Sequence, residues 1–204
     1  MTQLVHHKQV LVNVKDYRLT YHDAETPVFS DLSFTISQKD RIALQGNNGC
    51  GKSTLIKMIL QKAGAGGAEL PVTEEGICET ASNLVISYIS QDTSDLKGGI
   101  LTFCEKRHLN RSLFCAILRQ LDFDRVQFEK NMEDFSEGQK KKILIAASLL
   151  TPAHLYIWDE PLNYIDIFSR MQIEKLILQY QPTMLFVDHD VSFQNKIAER
   201  TIRL

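Results

Sequence analysis

Apolar and polar positions follow two rhythms along the chain. Val10–Val14 and Tyr17–Tyr21 are β-rich runs split by Lys15-Asp16, and residues 28–36 alternate apolar with polar in the manner of a half-buried strand. Together they predict a small antiparallel layer at the N-terminal end. Four short apolar runs follow at wide intervals, Arg41–Gln45, Leu84–Ile89, Leu155–Trp158 and Met184–Val187, each short enough for a buried strand. Between them the period changes. Leu55, Ile56, Ile59 and Leu60 mark a helix over Lys52–Lys62, residues 143–150 mark a second, and a third runs to Gln179. Gly64–Gly67 breaks the chain, and residues 69–80 read as a turn-rich stretch with short strands around Pro71 and Gly76. From about 92 to 134 only short helices are indicated, around 101–104, 113–121 and 123–128, so this segment is predicted as a helical insertion in an α/β core.

Composition narrows the class without naming it. A length of 204 residues favours one α/β domain, and 44% hydrophobic with 24% charged residues is ordinary for a globular protein. A net charge of -2 excludes a uniformly basic nucleic-acid binder while leaving room for a local basic patch. Cys50, Cys78, Cys104 and Cys115 show no CxxC spacing, which reads as free thiols in a reducing cytoplasm. No run of 18 apolar residues and no signal-type segment occurs, so neither export nor membrane insertion is expected.

The chemistry concentrates at strand ends. Gly46-Asn47-Asn48-Gly49-Cys50-Gly51-Lys52-Ser53-Thr54 matches G-x-x-x-x-G-K-[ST] and lies between a predicted strand and a predicted helix. Glycines let backbone N–H groups turn inward, and the helix N-terminus adds its positive end, so the loop is a cradle for a triphosphate. Lys52 is expected on the β- and γ-phosphates and the Ser53 hydroxyl on Mg²⁺. Strand 155–158 runs into Asp159 and Glu160: beside such a loop the first acid orders Mg²⁺ and the second accepts a proton from the attacking water, although adjacent acids also cap helices. Gln91 ends another strand and is either a contact to Mg²⁺ or water, or an ordinary loop residue. His189, in Asp188-His189-Asp190, ends a third and is placed on a γ-phosphate. Tyr21 either stacks on a purine or packs on the core. Ser136 with Gln139 forms a capping-box pattern, so a helix starts there with exposed N–H groups. Lys140, Lys141 and Lys142 follow at once and either touch a nucleic acid or form a solvated face, the second being the usual case for such a run.

With these pieces in order, the whole chain resembles an ABC-type ATPase nucleotide-binding domain. Residues 46–54 match the family's Walker A loop, Gln91 its Q-loop glutamine, residues 135–139 its signature, residues 155–160 its Walker B strand, residues 163–166 its D-loop and His189 its switch histidine. The signature reads Ser-Glu-Gly-Gln where Ser-Gly-Gly-Gln is commonest, which keeps both Ser136 and Gly138. The resemblance implies an α/β P-loop fold with a mixed, mostly parallel core sheet, an N-terminal antiparallel β layer and a small helical subdomain. It implies ATP and Mg²⁺ as ligands, with Tyr21, Asn47, Gly49, Cys50, Gly51, Lys52, Ser53 and Thr54 at the nucleotide. Ser53, Gln91 and Asp159 would serve the metal, and Glu160, His189 and Gln91 the reaction. Such domains dimerise head to tail, so Ser136, Gly138 and Gln139 would cover the nucleotide of a second domain.

The run Asp159-Glu160-Pro161-Leu162-Asn163-Tyr164-Ile165-Asp166 is similar to the D-loop of ABC-F proteins, whereas transporter ATPases usually have Ser-Ala or Ala-Gly at the positions of Asn163-Tyr164. With Phe-Ser-Glu-Gly-Gln-Lys-Lys-Lys upstream, it is similar to the second nucleotide-binding domain of Lsa/Vga-type antibiotic-resistance proteins. That branch implies a cytoplasmic protein that carries two such domains in tandem and acts on the ribosome. The other domain and the interdomain linker are absent from these 204 residues, so residues 1–204 are expected to be a single domain excised from a tandem protein, or a truncated product. Two rivals are the ATP-binding subunit of a membrane ABC transporter, and a non-enzymatic module that closes on ATP without appreciable turnover.

Overall fold

The computed structural model describes residues 3–66 and 69–204. Two sheets share the strands. An antiparallel sheet has the order β2-β1-β4, from β1 (Val10–Tyr21), β2 (Phe29–Ser37) and β4 (Val72–Thr80), and a five-stranded sheet has the order β5-β6-β7-β3-β8. The latter is built from β3 (Arg41–Gln45), β5 (Ile86–Ile89), β6 (Leu155–Asp159), β7 (Met184–Val187) and β8 (Arg200–Arg203), every neighbouring pair parallel. The antiparallel layer is present as expected, and the core sheet, expected to be mixed and mostly parallel, is wholly parallel among the described residues.

The central strands read as continuous apolar runs because both faces are covered. On β6, Leu155 and Ile157 join the cluster that holds α1 (Lys52–Lys62), while Tyr156 and Trp158 join the one beneath α4 (Glu137–Leu150) and α5 (Ile167–Tyr180). Leu185 and Val187 of β7 divide from Met184 and Phe186 in the same way. The buried Trp158 indole donates to Ser148 Oγ at 2.9 Å, that hydroxyl shares a 2.8 Å bond with Ser87, and the Tyr156 hydroxyl donates to the Thr151 carbonyl at 2.9 Å, so the polar groups of these side chains are satisfied.

The helical insertion comprises α2 (Ile100–Lys106), α3 (Arg111–Gln120) and 3-10 turns at Arg125–Glu129 and Met132–Asp134, packed with α4 around Phe114, Leu118, Phe123, Met132 and Phe135. Helix α4 serves two cores at once: Ile145 and Leu149 face the sheet, and Ile143, Ala146 and Ala147 face the insertion. The last helix is α6 (Val191–Ile197).

Three expectations need correction. The two runs before residue 22 are one strand, with Asp16 at φ 49 forming an irregularity rather than a break. The turn-rich stretch is the nine-residue strand β4, pairing with β1 along its length. Gly76 makes this possible: at φ +81 its backbone lies so close to Asp16 that a Cβ would stand 2.2 Å from the Asp16 carbonyl oxygen. Within the expected break Gly64 does take a left-handed φ of +68, and Gly67 lies outside the described residues. Third, Lys141 and Lys142 are buried.

Candidate nucleotide site

In a parallel sheet all strands deliver their carboxyl ends to one edge, and the loops leaving that edge build the site. Strand β3 delivers Gly46, β5 Gln91, β6 Asp159 and Glu160, and β7 His189. Since β6 lies between β5 and β7, Glu160 stands between Gln91 and His189.

The loop after β3 wraps into α1, whose N-cap is Gly51 at φ 99. A Cβ on Gly51 would lie 2.3 Å from Val28 Cγ1, so only glycine lets the loop seat against the antiparallel sheet. Lys52 is buried and donates to the Gly46 and Asn47 carbonyls at 2.8 and 2.9 Å. Tyr21 comes from the end of β1, and its hydroxyl shares a 3.0 Å bond with Thr54 Oγ1 while its ring packs on the core.

A cavity of about 790 Å³ opens over this loop, lined by Tyr21, Val28, Asn48, Gly49, Gly51–Thr54, Gln91, Glu160, Asn163, Tyr164 and His189. Asp159 is buried and does not itself line the cavity, but it accepts at Oδ2 from the Oγ of Ser53, which does, at 3.2 Å. Burial pushes the Asp159 carboxyl up from its ordinary value, the Ser53 hydrogen bond pulls it back, and the neighbouring Glu160 charge adds to the rise. These two oxygens are hard donors of the kind Mg²⁺ prefers, so the residues present fit the metal.

Glu160 is the most heavily partnered side chain of the cavity. Its Oε2 accepts from Gln91 Nε2 at 2.8 Å and from Asn163 Nδ2 at 2.7 Å, and its Oε1 lies 3.1 Å from His189 Nε2. Its backbone takes the left-handed φ of 50, held by an N–H bond to the Val187 carbonyl at 3.0 Å. A strained backbone with three convergent partners is typical of a residue whose aim matters.

The structure does not bring every expected residue to this cavity. Asn47 contributes its carbonyl to Lys52 and Cys50 turns toward Gly46, so neither side chain lines the cavity. Ser136, Gly138 and Gln139 are also absent from its lining. Ser136 and Gln139 form the expected capping box, Gln139 N–H donating to Ser136 Oγ at 3.3 Å and Ser136 N–H to Gln139 Oε1 at 3.0 Å. Gly138 is buried under the turn of residues 163–166, where a Cβ would stand 2.3 Å from the Tyr164 carbonyl oxygen.

Sequence reasoning missed the lysines. Lys141 Nζ donates to the Ser90 and Gln91 carbonyls at 2.9 and 3.0 Å, fixing the turn that presents Gln91. Burial pulls its ammonium below the ordinary lysine value, while the charges of Asp159 and Glu160 act in the opposite sense. Lys142 pairs with Asp166 at 2.7 Å, and Lys140 with Glu137 at 3.1 Å. A readable signal existed: at helical spacing Lys141 and Lys142 continue the apolar stripe of Ile145, Ala146 and Leu149, and a cation on an apolar stripe needs an internal partner.

A glycine loop at a helix start, a strand-end acid pair and the convergent glutamine and histidine define a P-loop ATP-binding domain of ABC type. The family model for ABC transporter matches residues 29–163, and the chain belongs to that family as its ATP-binding domain. It is 31% identical over 95% of its length to ABC transporter F family member 5 of Arabidopsis thaliana, and 32% identical over 84% to ribosome protection protein VmlR of Bacillus subtilis. It spans only 28% and 30% of the length of those two relatives. A solved ATP-binding subunit of an ABC transporter superposes with a TM-score of 0.77 at 20% identity, covering 95% of this chain and 85% of that one. An archaeal ribosome recycling factor, solved with a ribosomal stalk protein, gives 0.70 at 24% identity over 98% of this chain and 38% of that one. These two likenesses establish the fold. Among the described residues no helix is long and apolar enough to cross a membrane.

Proposed function

We propose that this domain hydrolyses ATP with Mg²⁺, and that it is the second nucleotide-binding domain of a cytoplasmic ABC-F protein of the Lsa/Vga kind that acts on the ribosome in antibiotic resistance. The hydrolysis rests on one observation, the Glu160 carboxylate held from three directions by Gln91, Asn163 and His189. Lys52 and the amides of residues 49–54 hold the β- and γ-phosphates, releasing the Lys52 ammonium from its own loop carbonyls. Ser53, Asp159 and Gln91 hold the metal, which when bound neutralises charge on the phosphate oxygens. Glu160 accepts the proton of the attacking water, and His189, half exposed beside it, contacts the γ-phosphate. Tyr21 closes the side of the cavity against the base.

Ser136, Gly138 and Gln139 act on the nucleotide of a second ABC domain, tandem in the parent protein, and the exposed start of α4 suits that role. Lys141 gives this arrangement a mechanical consequence. It bonds α4 to the Gln91 turn, so displacement of the signature helix on closure is felt by the glutamine that holds Glu160.

The ribosomal part is supported by the Asn163-Tyr164 pair in the loop after β6 and by the likeness to a relative named for ribosome protection. The test is sedimentation of the full-length protein carrying Glu160→Gln with ribosomes, with ATP and without nucleotide. ATP-dependent pelleting with ribosomes is expected. Pelleting with membranes instead would replace this reading by the transporter subunit and leave the ATP chemistry in place.

A further inference from the structure

Away from the nucleotide, the helical insertion carries a second cavity, of about 470 Å³, at the start of α3 and the 3-10 turn behind it. Arg111, Arg119 and Arg125 all line it, together with Ser112 and Phe128. Glu129 is the single acid on its wall, and among the described residues none of the three arginines forms an ion pair with it or with any other carboxylate. Arg41, Arg170 and Arg200, by contrast, each have a carboxylate partner. The concentration is not a product of composition, since the chain holds 23 basic against 25 acidic residues.

The arrangement leaves three solvent-exposed positive charges without a carboxylate partner among the described residues. Three guanidiniums face one concavity and repel one another. Arg111 is the first residue of α3, at the positive end of the helix, and no acidic residue lies in that first turn. Arg119 is offset in part by its place in the last turn of α3 and by the Phe128 ring, but three guanidiniums gathered against one unpaired acid still mark a wall suited to an anion from outside the chain. An anion supplies the missing compensation. The planar fork of arginine matches phosphate oxygens in pairs, and no lysine shares the cavity. Phe128 adds a π face, with the Arg119 guanidinium 5.8 Å from its ring centre. Cations beside a half-buried aromatic ring are the chemistry of single-stranded nucleic acid, phosphates on the arginines and a base against the open part of the ring.

We infer that this cavity is a binding site for the phosphate backbone of a single-stranded nucleic acid. The inference goes beyond the proposed function, because it needs neither ATP hydrolysis nor a second domain. It is tested with the 204-residue chain and a fluorescein-labelled, mixed-sequence 12-nucleotide RNA, by anisotropy across a series of KCl concentrations. Each cation lost from a single-strand phosphate contact should flatten the slope of log affinity against log salt by about 0.7, so Arg111→Gln/Arg119→Gln/Arg125→Gln should flatten it by about 2. Arg125→Gln alone, at a position in a 3-10 turn and in no α-helix, should flatten it by about 0.7. Phe128→Ala should weaken binding with the slope unchanged. ATP binding and melting temperature, measured on the same samples, should match the parent chain in all of the arginine variants. The inference is overturned if the parent chain does not bind the RNA at 50 mM KCl, if the triple variant binds it like the parent, or if polyglutamate of equal charge competes as well as unlabelled RNA. Loss of ATP binding by the parent chain would instead count against the proposed function and leave the RNA result intact.

Discussion

Replacing Glu160 by Gln separates chemistry from architecture. In the structure Oε2 accepts two hydrogen bonds, from Gln91 and Asn163, and Oε1 faces the His189 ring nitrogen. A glutamine fits the same volume: its amide oxygen can take the place of Oε2 and keep both donors, and its NH₂ can donate to His189 when that nitrogen carries no proton. The two retained bonds lose their charge assistance, roughly 1 kcal/mol each. Against this, the variant relieves repulsion between neighbouring carboxylates, the same interaction that raises the Asp159 carboxyl. It also removes a charge from a side chain that is only 14% exposed. Stability should therefore shift by no more than about 1 kcal/mol. Turnover should fall about 10²–10⁴-fold, equivalent to roughly 2.7–5.4 kcal/mol of barrier, because an amide cannot take the proton from water. Phosphate release at saturating ATP measures the first effect, and urea denaturation with a fluorescent ATP analogue measures fold and affinity. Turnover within threefold of the parent protein, with stability unchanged, would refute the assignment of Glu160 as general base.

Lys141→Met removes the ammonium that fixes the Ser90 and Gln91 carbonyls. Replacing a buried charge by an apolar group of similar length should change stability by less than about 2 kcal/mol in urea, while the loosened Gln91 turn lowers turnover about tenfold; unchanged turnover would mean that the turn needs no such tie. Gly138→Ala forces a Cβ against the Tyr164 carbonyl, a backbone atom that cannot rotate away, and should cost about 1–3 kcal/mol by urea denaturation, with no loss expected if the turn of residues 163–166 is free to shift. Asp166→Asn keeps the cap on Ser169 but deletes the ion pair with Lys142. Burial pulls the Asp166 carboxyl up, but hydrogen bonds from Lys142 and Ser169 outweigh it and hold the group well below its ordinary value of 3.8. A depressed carboxyl stabilises the fold above its unfolded value and loses that contribution as pH falls through the folded one. The stability difference between the parent and Asp166→Asn, about 1 kcal/mol for a pair whose carboxylate is half exposed, should be full at pH 7 and shrink below about pH 4; a difference independent of pH would exclude the pair as its source.

Much of the site was readable because its parts are local. The phosphate loop needs a strand, glycines and a helix start within a few consecutive residues, and the capping box needs only Ser136 and Gln139. Strand ends at Gln91, Glu160 and His189 followed from apolar runs that stop at polar residues. By contrast, β8 carries two arginines in its four residues and no apolar run, so its place beside β3 came only from pairing. The strand nature of β4 was hidden by Gly76, whose requirement is set by Asp16, 60 positions away. The lysine run misled because charge was weighed without helical phase.

The sequence alone therefore determined the chemical groups and the short-range geometry that holds them: the glycine loop, Lys52 and Ser53 at a helix start, and carboxylates at a strand end. Tertiary structure decided which groups meet. The strand order β5-β6-β7-β3 put Gln91, Glu160 and His189 on neighbouring strands, and the packing of α4 turned Lys141 onto the Gln91 turn. The reason is physical. Local motifs are fixed by hydrogen bonds and dihedral preferences between near neighbours in the chain, whereas parallel pairing and the burial of a charge depend on partners brought together only by collapse of the whole core.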